Sequence, residues 1–277
     1  MIEIKKFTLS DEEFNKLRRL VFDAAGISLS DAKRELVISR FSRRLRALNL
    51  STFGEYYNFV ISPDGQSEMQ NFVNSITTNK TDFFREPHHF DFLRDHFVPE
   101  CLRLGRREVR VWSAGCSTGE EPYSAAMTLH THLTEPHGIR VKVLATDIDT
   151  SVLDAARNGI YDERQIKPIP EEMLRKYFLR GKEDSAGLYK VKDVLREIVT
   201  FRQLNFIAEN YPISAVFDVV FCRNVIIYFS AETKKRVLTR LSGYLTRGGY
   251  FIIGHSETLF DMVDGLTYLK NTIYRKD

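Results

Sequence analysis

The sequence predicts an α/β chain: a doubly wound, mostly parallel sheet with a small antiparallel β-subdomain inserted, preceded by a small all-α domain. Three observations carry this. Before residue 105 the apolar residues recur at helical spacing, with no strand alternation. After it, short β-branched and aromatic runs alternate with helical patterns. The first such run, V-R-V-W at 109–112, leads directly into a glycine-bearing loop, S-A-G-C-S-T-G, and then a helix.

The elements follow in order. L-S-D-E-E-F-N-K-L-R-R-L-V-F puts Phe14, Leu17 and Val21 on one face, with Ser10 where an N-cap belongs. A second helix is predicted over 31–48, and two more over 56–60 and 69–76. Strands are predicted at 109–112, 141–145, 198–202, 217–222 and 250–254. Helices are predicted at 121–134, 150–157 and 231–246. The segment 160–197 interrupts the alternation with a helix, P-E-E-M-L-R-K-Y-F, a turn, K-E-D-S-A-G, and L-Y-K-V-K. It reads as an inserted hairpin or three short strands. The domain reading is therefore 1–78 helical, 79–105 linker and 106–277 catalytic, with the insertion at 160–197.

Composition narrows the function. At 277 residues, 43% hydrophobic and 12% aromatic, the chain is globular. A net charge of +3 is too mild to point to nucleic acid by itself. No apolar run reaches membrane-spanning length, and M-I-E-I-K-K-F lacks a leader's apolar stretch. Cys101, Cys116 and Cys222 are scattered, which suggests a reducing cytoplasm. His88-His89 and the pair His130 and His132 lack metal-ligand spacing and acidic company, so no metal is predicted.

In a doubly wound sheet, ligands sit beyond the carboxyl ends of the strands. Gly115 permits a tight turn there, and Gly119 permits close packing where the helix begins. Ser117 occupies the place of the middle glycine of a dinucleotide loop and leaves less room for a pyrophosphate. The second strand ends in A-T-D-I-D-T. Asp147 is the candidate acceptor for both ribose hydroxyls, and Asp149 the cap of the next helix. A ribose without a pyrophosphate points to S-adenosylmethionine (SAM).

Five stretches then resemble one family: T-T-N-K-T-D-F-F-R-E-P-H-H-F (77–90), V-W-S-A-G-C-S-T-G-E-E-P-Y-S (111–124), A-T-D-I-D-T (145–150), F-C-R-N-V-I-I-Y-F (221–229) and G-H-S-E (254–257). In this order they look like the CheR-type chemotaxis receptor methyltransferases, over nearly the whole chain. The resemblance implies a Rossmann-like domain that transfers a methyl group from SAM to glutamate side chains of chemoreceptors, leaving S-adenosylhomocysteine (SAH). It implies cofactor contacts at Asn79, Thr81, Arg85, Gly115, Glu121, Asp147, Asn205, Phe206, Arg223 and Asn224. Arg85 can pair bidentately with the methionine carboxylate, Glu121 with its ammonium, and Asn205 can read the adenine edge. It places Tyr228 near the transferred methyl, and Arg223 could steer the incoming carboxylate. Some members also bind a tethering pentapeptide through the β-subdomain; the 181–187 turn here lacks the second early glycine of those members.

The basic helix K-R-E-L-V-I-S-R-F-S-R-R-L-R-A-L carries an apolar stripe of Ile38, Phe41, Leu45 and Leu48. Arg40, Arg43, Arg44 and Arg46 lie off that stripe and suit an acidic partner, and the family uses this helix for receptor recognition. The expected partner is a receptor's cytoplasmic part, met by a cytoplasmic monomer, with no nucleic acid and no membrane insertion. Two other readings are a SAM- or SAH-binding regulatory module without turnover and a methyltransferase acting on RNA.

Overall fold

The computed structural model describes residues 7–259 and 262–277; residues 1–6, where the leader was sought, lie outside them. The N-terminal part packs four helices: α1 (Asp11–Ala25), α2 (Arg34–Ala47), α3 (Phe53–Ile61) and α4 (Glu68–Ile76). Ser10 and Glu13 form a reciprocal capping box at α1. Phe14, Leu17, Val21, Val37, Phe41, Leu45, Tyr56 and Phe72 build the core of this part. The predicted second helix divides: Asp31–Lys33 is a 3-10 turn, and α2 proper begins at Arg34.

The rest of the chain forms one seven-stranded sheet in the order β6-β2-β1-β7-β8-β10-β9. β1 (Glu108–Ala114), β2 (Arg140–Asp147), β6 (Val199–Gln203), β7 (Phe217–Cys222) and β8 (Leu245–Ile253) run parallel. A three-stranded antiparallel sheet, β3 (Ile160–Asp162), β5 (Leu188–Val191) and β4 (Phe178–Arg180), lies within the inserted segment. Chain order reverses between β2-β1 and β7, so a crevice opens beyond the carboxyl ends of β1, β2 and β7.

Two departures have physical causes. β9 (Leu266–Lys270) and β10 (Ile273–Lys276) form an antiparallel hairpin absent from the sequence expectation. β9 is an edge strand with its residues facing largely outward, so it shows no in-out alternation. Its turn uses Asn271 and Thr272 at φ 48° and 60°, without the Asn-Gly signal of such turns. The helix predicted to 246 stops at Gly243, and Leu245 already opens β8.

The helical part is stitched to the sheet domain by side chains. Gln70 donates to the Ile148 carbonyl at 3.1 Å, Asn74 to Thr150 at 2.9 Å and Asn205 to the Ala24 carbonyl at 2.8 Å. Ser28 N–H donates to the Tyr228 carbonyl at 2.8 Å. The N-terminal helices therefore also wall the crevice.

Candidate cofactor and methyl-transfer site

An open cleft lies over the strand ends. Its lining comes from four of the five motif segments and from the loop after β6: Asn79, Thr81 and Arg85 of the linker, Gly115 and Glu121 of the first loop, Asp147, Asn205 and Phe206, and Arg223, Asn224 and Tyr228. Ile27, Ser28, Lys33 and Leu36 close it from the N-terminal side, a contribution the sequence reading missed because nothing in 25–36 carries a chemical motif.

The loop after β1 is held by both neighbours. Gly115 sits at φ 89°, and a Cβ there would lie 2.2 Å from Val225 Cγ2, so only glycine fits. Ser117 is also left-handed, at φ 48°. Its N–H donates to Asp147 Oδ2 at 2.8 Å and its hydroxyl to the Asn79 carbonyl at 2.9 Å. The serine in the middle-glycine position thus ties the loop to β2 and to the linker. Four of the eight non-glycine residues with positive φ among the described residues, Phe84, Glu86, Ser117 and Asn224, lie in or beside the cleft. Strained backbone gathers where geometry is being held for a ligand.

Asp147 ends β2 as a buried carboxylate. Oδ1 accepts from Asp149 N–H at 3.0 Å and Oδ2 from Ser117 N–H at 2.8 Å. Each oxygen keeps a lone pair for a further donor, which suits a diol. Burial pushes its carboxyl up, against the pull of these N–H groups. Asp149 caps the helix Thr150–Asn158 and also takes Thr77 and Asn79 at 2.6 and 2.7 Å. Asn79 is thereby positioned by a side chain from the second strand's loop.

A buried charge cluster forms the opposite wall. Arg223 meets Glu121 Oε2 at 3.2 Å and Glu86 Oε2 at 3.3 Å, and donates to the Arg85 carbonyl. Glu121 Oε1 accepts from Ser113 at 2.7 Å. Two carboxylates share this one guanidinium, and of the three groups Glu121 and Arg223 line the cleft. Burial pushes Glu121 above the usual carboxylate range despite Arg223. Glu86 is pulled below it: burial opposes ionisation, but the Arg223 charge and two hydrogen bonds from His255 outweigh it. Glu86, which sequence reasoning passed over as the residue beside Arg85, is thus a main structural acid of the site.

Several expected roles need correction. Arg223 lines the cleft, but its side chain is 2% exposed and pairs with Glu86 and Glu121, leaving only Nε without a partner among the described residues. Asn205 lines the cleft, but its amide donates to Ala24 and its oxygen accepts from Ile207 N–H, so reading an adenine edge is not its main bonding. Arg44 is not part of a free basic face. It forms a two-pronged pair with Glu68 at 2.7 Å on each side, and Glu68 also takes Tyr56 and Asn71. Arg46 lies over the Phe7 ring, its guanidinium 5.5 Å from the centroid. His88 and His89 do come together with Glu86, within 4.8 Å. Glu86, however, already holds Arg223 and His255, and that guanidinium would repel a cation.

Arg85 keeps donors for a ligand after one N–H bonds the Lys80 carbonyl at 2.9 Å. Arg85→Lys preserves the charge and loses the planar fork, so it is expected to weaken SAH binding about tenfold in calorimetric titration. Full affinity in the lysine variant would reduce the contact to a point charge.

Residues 79–275 match the family model described as CheR methyltransferase, SAM binding domain, and residues 12–77 the one described as CheR methyltransferase, all-alpha domain. A relative from Escherichia coli K12 named chemotaxis protein methyltransferase is 44% identical over 98% of this chain and 92% of its own length. Chemotaxis protein methyltransferase 2 of Pseudomonas aeruginosa is 42% identical, covering 98% and 95%. That of Borreliella burgdorferi is 38% identical, covering 97% and 95%. With two matching models and near-complete coverage, the chain belongs to the CheR methyltransferase family, a SAM-binding methyltransferase of Rossmann-like fold with a helical N-terminal domain.

Proposed function

We propose that the chain methylates glutamate side chains of chemoreceptors, forming methyl esters, with SAM held in the cleft described above. One observation carries the proposal: a ribose-type acid, Asp147, an arginine with free donors, Arg85, and the buried acid Glu121 line one cleft that also holds Tyr228. The residues fit the cofactor's parts. Asp147 offers two acceptors for the ribose hydroxyls. Arg85 suits the carboxylate, and the Glu86, Arg223 and Glu121 cluster suits the ammonium. Asn79 and Thr81 bound the linker side, Gly115 lets the loop approach, and Phe206 and Asn224 complete the lining. When bound, SAM supplies a methyl group on a cationic sulfonium.

The chain's own contribution is placement. A glutamate side chain has an ordinary pKa of about 4.3 and is a carboxylate at neutral pH, so no general base is required. Holding reactants in line is worth up to roughly 7–11 kcal/mol. Tyr228, half-buried in the 3-10 turn Ile226–Tyr228, orients the incoming carboxylate with its hydroxyl. Base-labile methyl release from receptor cytoplasmic fragments, after incubation with labelled SAM, is the expected result. Label that survives base, or that resides in RNA, would replace this reading.

With Arg44 held by Glu68, the docking surface on α2 rests on Arg40, Arg43 and Arg46, of which Arg43 and Arg46 are exposed. Phe41, the aromatic of this helix, is fully buried, so α2 offers no stacking platform to bases, which favours an acidic protein over nucleic acid. Contacts between exposed charges are screened over about 8 Å at physiological salt. Replacing Arg40 and Arg43 together by Ala should lower kcat/KM for receptor several-fold, less so as salt rises, and leave SAH affinity unchanged. Arg44 is kept, because its loss would strand Glu68. Normal receptor methylation by the double variant at low salt would show only a solvated face.

A further inference from the structure

The fifth motif, G-H-S-E at 254–257, has no role in the reading above, yet it reaches both walls of the cleft. It begins at the carboxyl end of β8 and closes on itself, Glu257 N–H donating to the Gly254 carbonyl at 2.9 Å. Glu257 is 7% exposed. Its Oε2 accepts from Gly254 N–H and from Asn224 N–H, each at 2.8 Å. Its Oε1 is buried without a hydrogen bond of ordinary geometry, and the Ile227 N–H also bears on this carboxylate. Asn224 is left-handed, at φ 58°. A Cβ at Gly254 would lie 2.5 Å from Asn224 Nδ2 and 2.9 Å from Glu257 Oε2, so any side chain there must displace one or both of these groups. On the other side, His255 donates its backbone N–H to Glu86 at 3.2 Å and sets Nδ1 at 3.1 Å from the same carboxylate.

A buried carboxylate is an unfavourable way to fill space. An apolar side chain would pack this position with less desolvation. What the carboxylate does that an apolar group cannot is hold two convergent backbone N–H groups, one of them on a residue in a sparsely populated conformation. That residue opens the 224–228 segment, which ends at Tyr228.

We propose that Glu257 is a positioning residue for methyl transfer: it holds the 224–228 segment in the shape that presents Asn224 and Tyr228 to the cleft. His255 performs the matching task toward Glu86, so the four-residue motif fastens the two sides of the site to one strand end. The proposal rests on the cofactor and substrate reading above, and it goes beyond that reading by assigning a residue that lines no part of the cleft.

Glu257→Gln keeps the shape and one acceptor oxygen for the converging N–H groups; Glu257→Ala removes both. A displacement of about 1 Å in a positioned group can lower turnover about 100-fold. Per folded molecule, Glu257→Ala should lose kcat for receptor methylation on that scale and bind SAH more weakly, with the glutamine variant near wild type. Gly254→Ala, which keeps the Glu257 carboxylate but drives a methyl group against Asn224 and against that carboxylate, should reproduce the alanine phenotype. It also serves where Glu257→Ala fails to fold by circular dichroism. A residue that only stabilised the fold would lower Tm in both Glu257 variants and leave kcat and SAH affinity of the folded fraction alone, and that outcome would overturn the proposal. So would Gly254→Ala with wild-type kinetics. Calorimetry with SAH needs no receptor. If wild-type protein binds SAH but methylates no receptor, the substrate reading fails while the SAH arm still tests Glu257.

Discussion

Arg223→Met is expected to destabilise the folded chain by about 3–5 kcal/mol at neutral pH, the range for removing one partner of a buried pair. The guanidinium is 2% exposed, and its partners Glu86 and Glu121 are 10% and 11% exposed. Methionine fills the volume but leaves two carboxylates close together without a counter-ion. A hydrogen bond to the Arg85 carbonyl is lost with it. Against a total stability of roughly 5–15 kcal/mol, that is a large share.

The pH dependence has a definite sign. In the variant both carboxyls lose the charge that favours ionisation, so their folded-state pKa values rise above the unfolded ones. The folded variant then binds more protons than the unfolded chain, and its stability rises as pH falls. The deficit relative to wild type should therefore shrink between neutral pH and the ordinary carboxyl value of 4.5. Wild type behaves differently at Glu86, whose lowered pKa contributes stability above the unfolded value and loses it as pH falls through the folded one. Glu121→Gln placed on Arg223→Met should recover part of the loss, because it removes one stranded charge. Denaturant midpoints across this pH range measure all three. An Arg223→Met protein as stable as wild type at neutral pH would mean that the cluster is wet in solution.

Much of this site was legible because its chemistry is carried by short segments at strand ends, where a doubly wound sheet must bind its ligand. Alternating runs placed β1, β2, β6 and β7 within a few residues, and the acid closing A-T-D lies at the cleft. What was illegible depended on partners far apart in sequence. Arg44 reads as one more exposed arginine until Glu68, 24 residues on, is brought beneath it. Arg223 reads as a substrate-facing cation until Glu86 and Glu121 surround it. Asn205 reads as a free amide until α1 ends against it. In each case a local pattern gave the charge or the polarity, and only tertiary packing decided where it was used. The serine in the glycine loop is the opposite case. Its departure from the dinucleotide pattern was plain in sequence, but its bond to the Asn79 carbonyl was not.

Asp147→Ala is expected to weaken SAH binding by about 1.5–3 kcal/mol, the scale of hydrogen bonds to a charged group, or roughly ten- to 150-fold in Kd. Stability should respond far less. Burial already disfavours the charge, raising its pKa, so the ionised carboxylate opposes folding at neutral pH, and removing it relieves that penalty. Two N–H groups, of Ser117 and Asp149, lose their acceptor in exchange. On the proposed ribose contact, these terms have opposite sign in folding but the same sign in binding, since the ribose would lose its acceptor and Ser117 loses the bond that supports its left-handed turn. The variant is thus expected to unfold near the wild-type midpoint and yet bind poorly. Asp147→Asn separates the two binding terms: its amide oxygen can still take one N–H, so the loop keeps part of its support while the charge is gone. Affinity of the wild type should fall with acid as this carboxyl, titrating above an ordinary aspartate, takes up its proton and can no longer accept from both hydroxyls. Calorimetric titration with SAH from neutral pH downward tests this. An Asp147→Ala protein that binds SAH as wild type does would remove the ribose from this strand end and with it the orientation of the cofactor in the cleft.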